Sequence, residues 1–160
     1  MPTAKRKKAS PRPKARASHP RKRPPQRAAP LLKADDVRQI LRDLATQIAP
    51  ADVVDLLAHE QPLRARADAL PLPLLRAQLQ LALDCLRDHC DAACPQIPYY
   101  TIAMLAAAAY YFADDLDVIP DFLPRIGRLD DAVVMAMAFH LAEAGITRYC
   151  TWKGRPLPTA

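Results

Sequence analysis

Between Asp115 and Asp131 the chain reads DLDVIPDFLPRIGRLDD, with five aspartates, two prolines and one glycine set between two apolar segments. Carboxylates gathered this way suit a hard divalent cation, because Mg²⁺ and Ca²⁺ favour clustered carboxylate oxygens. Asp117, Asp121, Asp130 and Asp131 are the candidate ligands, and with them the chain could be a metal-dependent enzyme. Asp114 and Asp115 add weight, since carboxylates at a helix C-terminus oppose the macrodipole. Against this, no EF-hand spacing is present, and two carboxylates alone do not make a hydrolase. The same residues also make a rigid corner. Pro120 and Pro124 push Ile119 and Leu123 towards extended backbone, so no helix runs through. Gly127 permits the positive φ of a tight reversal. Asp130 can cap the next helix, and Asp131 suits its first turn. Asp117, Pro120, Asp121, Pro124, Gly127, Asp130 and Asp131 are therefore expected to shape a packed corner, with no catalytic residue assigned.

Other chemistry is sparse. Cys85, Cys90 and Cys94 fall with His89 on one expected helix, where Cys85 and His89 share a face and Cys90 and Cys94 share another. Zinc needs tighter knuckles and a second ligand pair, for which only distant His140 and Cys150 remain, so buried small hydrophobes are expected. His140 and Glu143 lie one helical turn apart, with no nucleophile in evident relation to them. The three glycines, Gly127, Gly145 and Gly154, cannot build a phosphate-binding loop.

These residues must be positioned by helices. ADDVRQILRDLATQIA puts Val37, Ile40, Leu41, Leu44 and Ile48 on one stripe, with Asp35 or Asp36 to cap it and Pro50 to stop it. A shorter helix follows through Val53, Val54 and Leu57, then a proline-marked connection from Pro62 to Pro73. LLRAQLQLALDCLRDHCDAA carries Leu75, Leu79, Ala82 and Leu86 at helical spacing, closed by Pro95 and Pro98. YYTIAMLAAAAYYFA is apolar nearly all round and must be surrounded by protein or lipid. From Pro98 to Ala113 it could span only ~24 Å, short of the ~30 Å hydrocarbon core. LDDAVVMAMAFHLAEAGITRYC is expected as one last helix. No strand alternation appears. The expected fold is an all-α small bundle with a C-terminal apolar helical hairpin joined by the Pro/Asp/Gly corner.

YYFADDLDVIPDFLPRIGRLDDAVVMAMA resembles the signature of the YkvA-like family, a bacterial domain of unknown function, through the ordered string Asp117, Ile119, Pro120, Asp121, Pro124, Gly127, Asp130 and Asp131. Asp115 departs from it, standing where the family commonly has proline. The resemblance spans Tyr99 to Phe139 and implies a membrane protein with no known reaction.

Charge separates a further region. Residues 1–30 hold 11 Lys and Arg and no acid, while residues 31–160 hold 12 basic against 17 acidic residues. With almost no bulky apolar side chains, the first segment is expected to be a disordered arm. Lys5, Arg6, Lys7, Lys8, Arg21, Lys22 and Arg23 are its candidate contacts to an anionic surface. An anionic membrane is the expected partner, at ~1 kcal/mol per basic residue near the surface. Nonspecific nucleic acid binding is the alternative, although the arm has no aromatic residue to stack on bases. The sequence names no protein partner. The resulting expectation is a noncatalytic membrane-associated or interaction module with a cytoplasmic arm, against a cytoplasmic soluble bundle. Its parts are the arm at 1–30, amphipathic helices at 31–94, the YkvA-like hairpin at 95–152 and a flexible tail at 153–160.

Overall fold

The computed structural model describes residues 33–94, 97–113 and 131–158. The basic arm and the corner from Asp114 to Asp130 lie outside them. The described residues form seven α-helices and no strand: α1 (Ala34–Gln47), α2 (Pro50–Ala58), α3 (Glu60–Ala69), α4 (Pro73–Cys90), α5 (Tyr99–Ala113), α6 (Asp131–Leu141) and α7 (Glu143–Lys153). The all-α bundle expected from helical periodicity is the fold.

Helix α1 buries Val37, Leu41 and Leu44, with Ile48 buried at its C-terminal boundary and Ile40 packed at the edge. Its start is fixed by Asp36, whose carboxylate accepts the Lys33 backbone N–H at 3.0 Å. Asp52 does the same for α2, accepting the Ala49 N–H at 2.7 Å. Both use a carboxylate in the first turn, where the helix dipole favours negative charge. Pro50 opens α2 rather than merely ending α1, since the first helical position has no intrahelical use for its N–H.

Two expected boundaries differ. The connection placed from Pro62 onwards is mostly helix, because Pro62 sits in the first turn of α3, where a missing N–H removes no intrahelical bond. The expected last helix breaks at Ala142 (φ −106°, ψ 11°) into α6 and α7. The Ala142 carbonyl accepts from both Gly145 and Ile146, a locally tightened turn between the two helices. Gly145 then meets α5 so closely that a Cβ there would stand 2.0 Å from Thr101 Oγ1. Only a glycine permits that approach.

Helix α5 is the centre of the bundle. From Thr101 to Ala113 every residue except Tyr111 is buried, and α1, α2, α4 and α6 all pack on it. The enclosure that its composition demands is supplied by protein. Ala103 and the run Ala106–Ala109 keep its surface narrow, which lets several neighbours reach the same axis. Larger side chains on those neighbours fill the space, including Leu41, Leu44, Leu56, Leu79, Leu83 and Leu86. Each such burial contributes roughly 1.5–3 kcal/mol. Two hydroxyls orient the helix: Tyr110 donates to the Asp52 carbonyl at 2.5 Å and Tyr99 to the Ile48 carbonyl at 3.1 Å.

Candidate functional site

Asp131 is the member of the expected corner that the structure describes. It is the first residue of α6 and is exposed, the first-turn position that the helix dipole favours. Asp117, Pro120, Asp121, Pro124, Gly127 and Asp130 lie outside the described residues, as do Lys5, Arg6, Lys7, Lys8, Arg21, Lys22 and Arg23. Among the described residues no group of three or more His, Cys, Asp or Glu side chains is placed to hold a metal ion.

The cysteine arrangement differs from the single-helix expectation. Helix α4 ends at Cys90, and Ala92 then takes a positive φ of 52°. The N–H groups of Ala93 and Cys94 turn back onto the Asp88 carbonyl, so Cys94 leaves the helix that carries Cys85 and Cys90. Cys85 and Cys150 are buried, and all four thiols are free. Burial pushes the Cys85 thiol up to about 12 and also raises Cys90, Cys94 and Cys150. None is held as the thiolate that a nucleophile requires. His140 and Glu143 belong to different helices, separated by the break at Ala142, and so are not the continuous one-turn pair that their spacing suggests.

Sequence reasoning missed a polar ladder on the outer face of α4. Arg64 joins Glu60 and Asp84, each at 2.7 Å. Arg155 reaches Asp84 at 2.5 Å, and Arg87 Nε donates to Glu60 at 2.9 Å. One turn further along α4, Asp88 accepts from Tyr149 at 2.6 Å and from Lys153 at 2.5 Å. Burial is the largest influence on Glu60 and opposes its ionisation, but Arg87 and Arg64 together outweigh it and hold the carboxyl below its ordinary value. Asp88 shows the same balance, with burial overcome by the hydrogen bonds from Lys153 and Tyr149. The ladder ties α3, α7 and the C-terminal segment to α4. Its charges are committed to one another, which suits a clamp and leaves little for substrate chemistry. The Glu60/Arg64 and Asp84/Asp88 spacings were the available signal.

A second missed feature is a concave surface. Pro50, Val53, Val54, His89, Cys90 and Tyr99 line a groove of about 280 Å³ where the start of α2, the end of α4 and the start of α5 meet. Val54 is 57% exposed and Tyr99 39% exposed, and the adjoining Tyr100 is 44% exposed. The rings of His89 and Tyr99 lie 6.4 Å apart and tilted. A shallow apolar depression also runs along α6, lined by Ala132, Val133, Ala136, Met137 and His140. What these two surfaces offer is apolar contact area with Tyr99 fixed by its bond to the Ile48 carbonyl.

Residues 101–137, which run from α5 into α6, match the family described as Protein of unknown function (DUF1232). The chain is also 32% identical over 68 residues to the "Uncharacterized membrane protein YkvA" of Bacillus subtilis (strain 168), a match covering 42% of this chain and 64% of that protein. The chain is thus similar to the YkvA-like family of unknown function, and residues 101–137 carry the family match. The match spans less than two thirds of the relative's length. No solved structure matches.

Proposed function

We propose that this chain is a noncatalytic module that lies on an anionic membrane surface, held there by its basic arm on the cytoplasmic side, with the helical body acting as an interaction platform. The observation that carries this reading is the enclosure of α5. The most apolar segment of the chain is already covered by four helices, and no described helix is long and apolar enough to cross a membrane. Association through the surface is therefore favoured over insertion of α5. The relative's description as a membrane protein supports the location. The 11 basic residues of 1–30, uninterrupted by an acid, support the means.

Flotation of the full chain with neutral and with anionic vesicles, at low and high salt, tests the reading. Binding to anionic vesicles alone, released by salt and lost when Lys5, Arg6, Lys7, Lys8, Arg21, Lys22 and Arg23 are changed to Gln, is the expected result. Binding to neutral vesicles that survives alkaline washing would instead mean an inserted protein. Failure to float, with salt-sensitive retention on duplex DNA that the same substitutions abolish, would give the arm to nucleic acid.

A further inference from the structure

We infer that the groove where α2, α4 and α5 meet is a binding site for a small quaternary ammonium cation, an ion whose nitrogen carries only carbon substituents. Its lining residues, Pro50, Val53, Val54, His89, Cys90 and Tyr99, include two aromatic rings and no Lys or Arg. The rings of His89 and Tyr99 stand 6.4 Å apart at 49° to one another, which makes a corner rather than a stack. The Tyr99 hydroxyl donates to the Ile48 carbonyl at 3.1 Å, so this ring is held in place before any ligand arrives. At about 280 Å³ the groove falls just under the ~300–1,000 Å³ of drug-sized sites, which suits a ligand of few heavy atoms.

Charge decides the sign of that ligand. Helix α2 carries Asp52 and Asp55 and no basic residue, and Asp91 follows Cys90 at the end of α4. Burial raises the Tyr99 hydroxyl above its ordinary value, and Asp52 and Cys90 raise it further, so the Asp52 carboxylate acts on a wall of the groove. Arg87, the nearest cation along α4, is bonded through Nε to Glu60 at 2.9 Å. A cation seated here therefore meets carboxylates and the negative face of a tyrosine ring, which attracts positive charge within ~6 Å. Chemistry then decides the class. A primary ammonium or a guanidinium would have to leave its water, and Pro50, Val53 and Val54 offer no side-chain acceptor for its N–H groups. A quaternary ammonium has no N–H to satisfy, and its methyl groups pack on proline and valine while ring and carboxylates meet its charge. The same carboxylates repel a phosphate placed close to the ammonium, so a free cation such as choline fits better than a phosphocholine headgroup.

The inference does not rest on membrane association. Saturation-transfer NMR on the full chain, without vesicles and in mildly alkaline buffer where imidazole is neutral, tests it with choline as the probe. The control is the tert-butyl isostere of choline, in which an uncharged carbon replaces the nitrogen. Transfer to the choline methyl protons is expected, with titration shifts centred on Val53, Val54 and Tyr99, and the isostere should bind about ten-fold more weakly. Val54 is 57% exposed, so its charge can be set either way without disturbing the core. Val54→Arg is expected to abolish binding and Val54→Glu to keep it, with an unchanged melting temperature as the check on folding. Tyr99→Leu should weaken binding several-fold, and Tyr99→Phe should restore most of it. Equal binding of choline and its isostere would overturn the inference and leave a merely apolar groove, as would equal binding by the two Val54 variants or no transfer at all. Phosphocholine bound as tightly as choline would support the site and assign it to a lipid headgroup instead of a free cation. Failure here leaves vesicle binding by the arm standing, and failure of vesicle binding leaves this site standing.

Discussion

Helix α5 and the outer face of α4 are neighbours that are stabilised in opposite ways. Helix α5 has no charge, is covered on nearly every side and is fixed by the fit of small residues against large ones. The α4 face is held by ion pairs whose partners keep between 15% and 42% of their side-chain exposure. Close packing tolerates no misplaced atom, whereas partly exposed ion pairs contribute little each and are screened by water and salt. The fold therefore depends on α5, and the α4 face adjusts the stability of what α5 has organised.

The comparison is broken most severely by placing a charge inside the first region. Ala108 is fully buried, and Ala108→Glu would leave a carboxylate without a partner, at a cost of ~3–5 kcal/mol or more. Loss of the cooperative helical melt by circular dichroism is the expected outcome, and a normal melt would mean that α5 is not enclosed. A milder intrusion is Gly145→Ala, which forces a methyl group into Thr101. It should cost about 1–3 kcal/mol in urea denaturation, partly recovered by adding Thr101→Ala because the 2.0 Å contact is with Oγ1. Additive effects of the two changes would show that the helices do not meet there.

The smallest effect belongs to the ladder and depends on pH. Glu60 has its folded carboxyl pKa held below the ordinary 4.5, and Asp88 below 3.8. Their contribution is complete above those ordinary values and is lost as the pH falls through the lower folded ones. Melting temperature should therefore drop in acid, and Glu60→Gln should flatten the drop while lowering stability only slightly near neutrality. An unchanged acid slope would remove Glu60 from the ladder's pH response.

Much of this difference could be read from the sequence, and the reasons are physical. Helices α1, α4 and α5 announce themselves because burial imposes a period on apolar residues, and α5 because burial on all sides removes the period altogether. The limits of α3 and the break before α7 were hidden. Proline signals a boundary without saying whether it stands inside or outside the first turn, and Gly145 is explained only by Thr101, 44 residues earlier in the chain. The ladder was hidden for the same reason: Tyr149 and Asp88 gain meaning only once α7 is laid against α4. The aspartate corner up to Asp130 lies outside the described residues, and the groove beside α2 was hidden because it joins Pro50 to His89, Cys90 and Tyr99, some forty residues further along.

The enclosure of α5 also sets an order of events during synthesis. Helices α1, α2 and α4, which cover it, are all encoded before it, and the chain emerges N-terminus first at ~5–20 residues per second. When the uncharged segment leaves the ribosome, three of the four helices that pack on it have already been synthesised. Only α6 must still arrive. The uncharged segment thus emerges beside helices already made to cover it, and α6 follows to complete the enclosure.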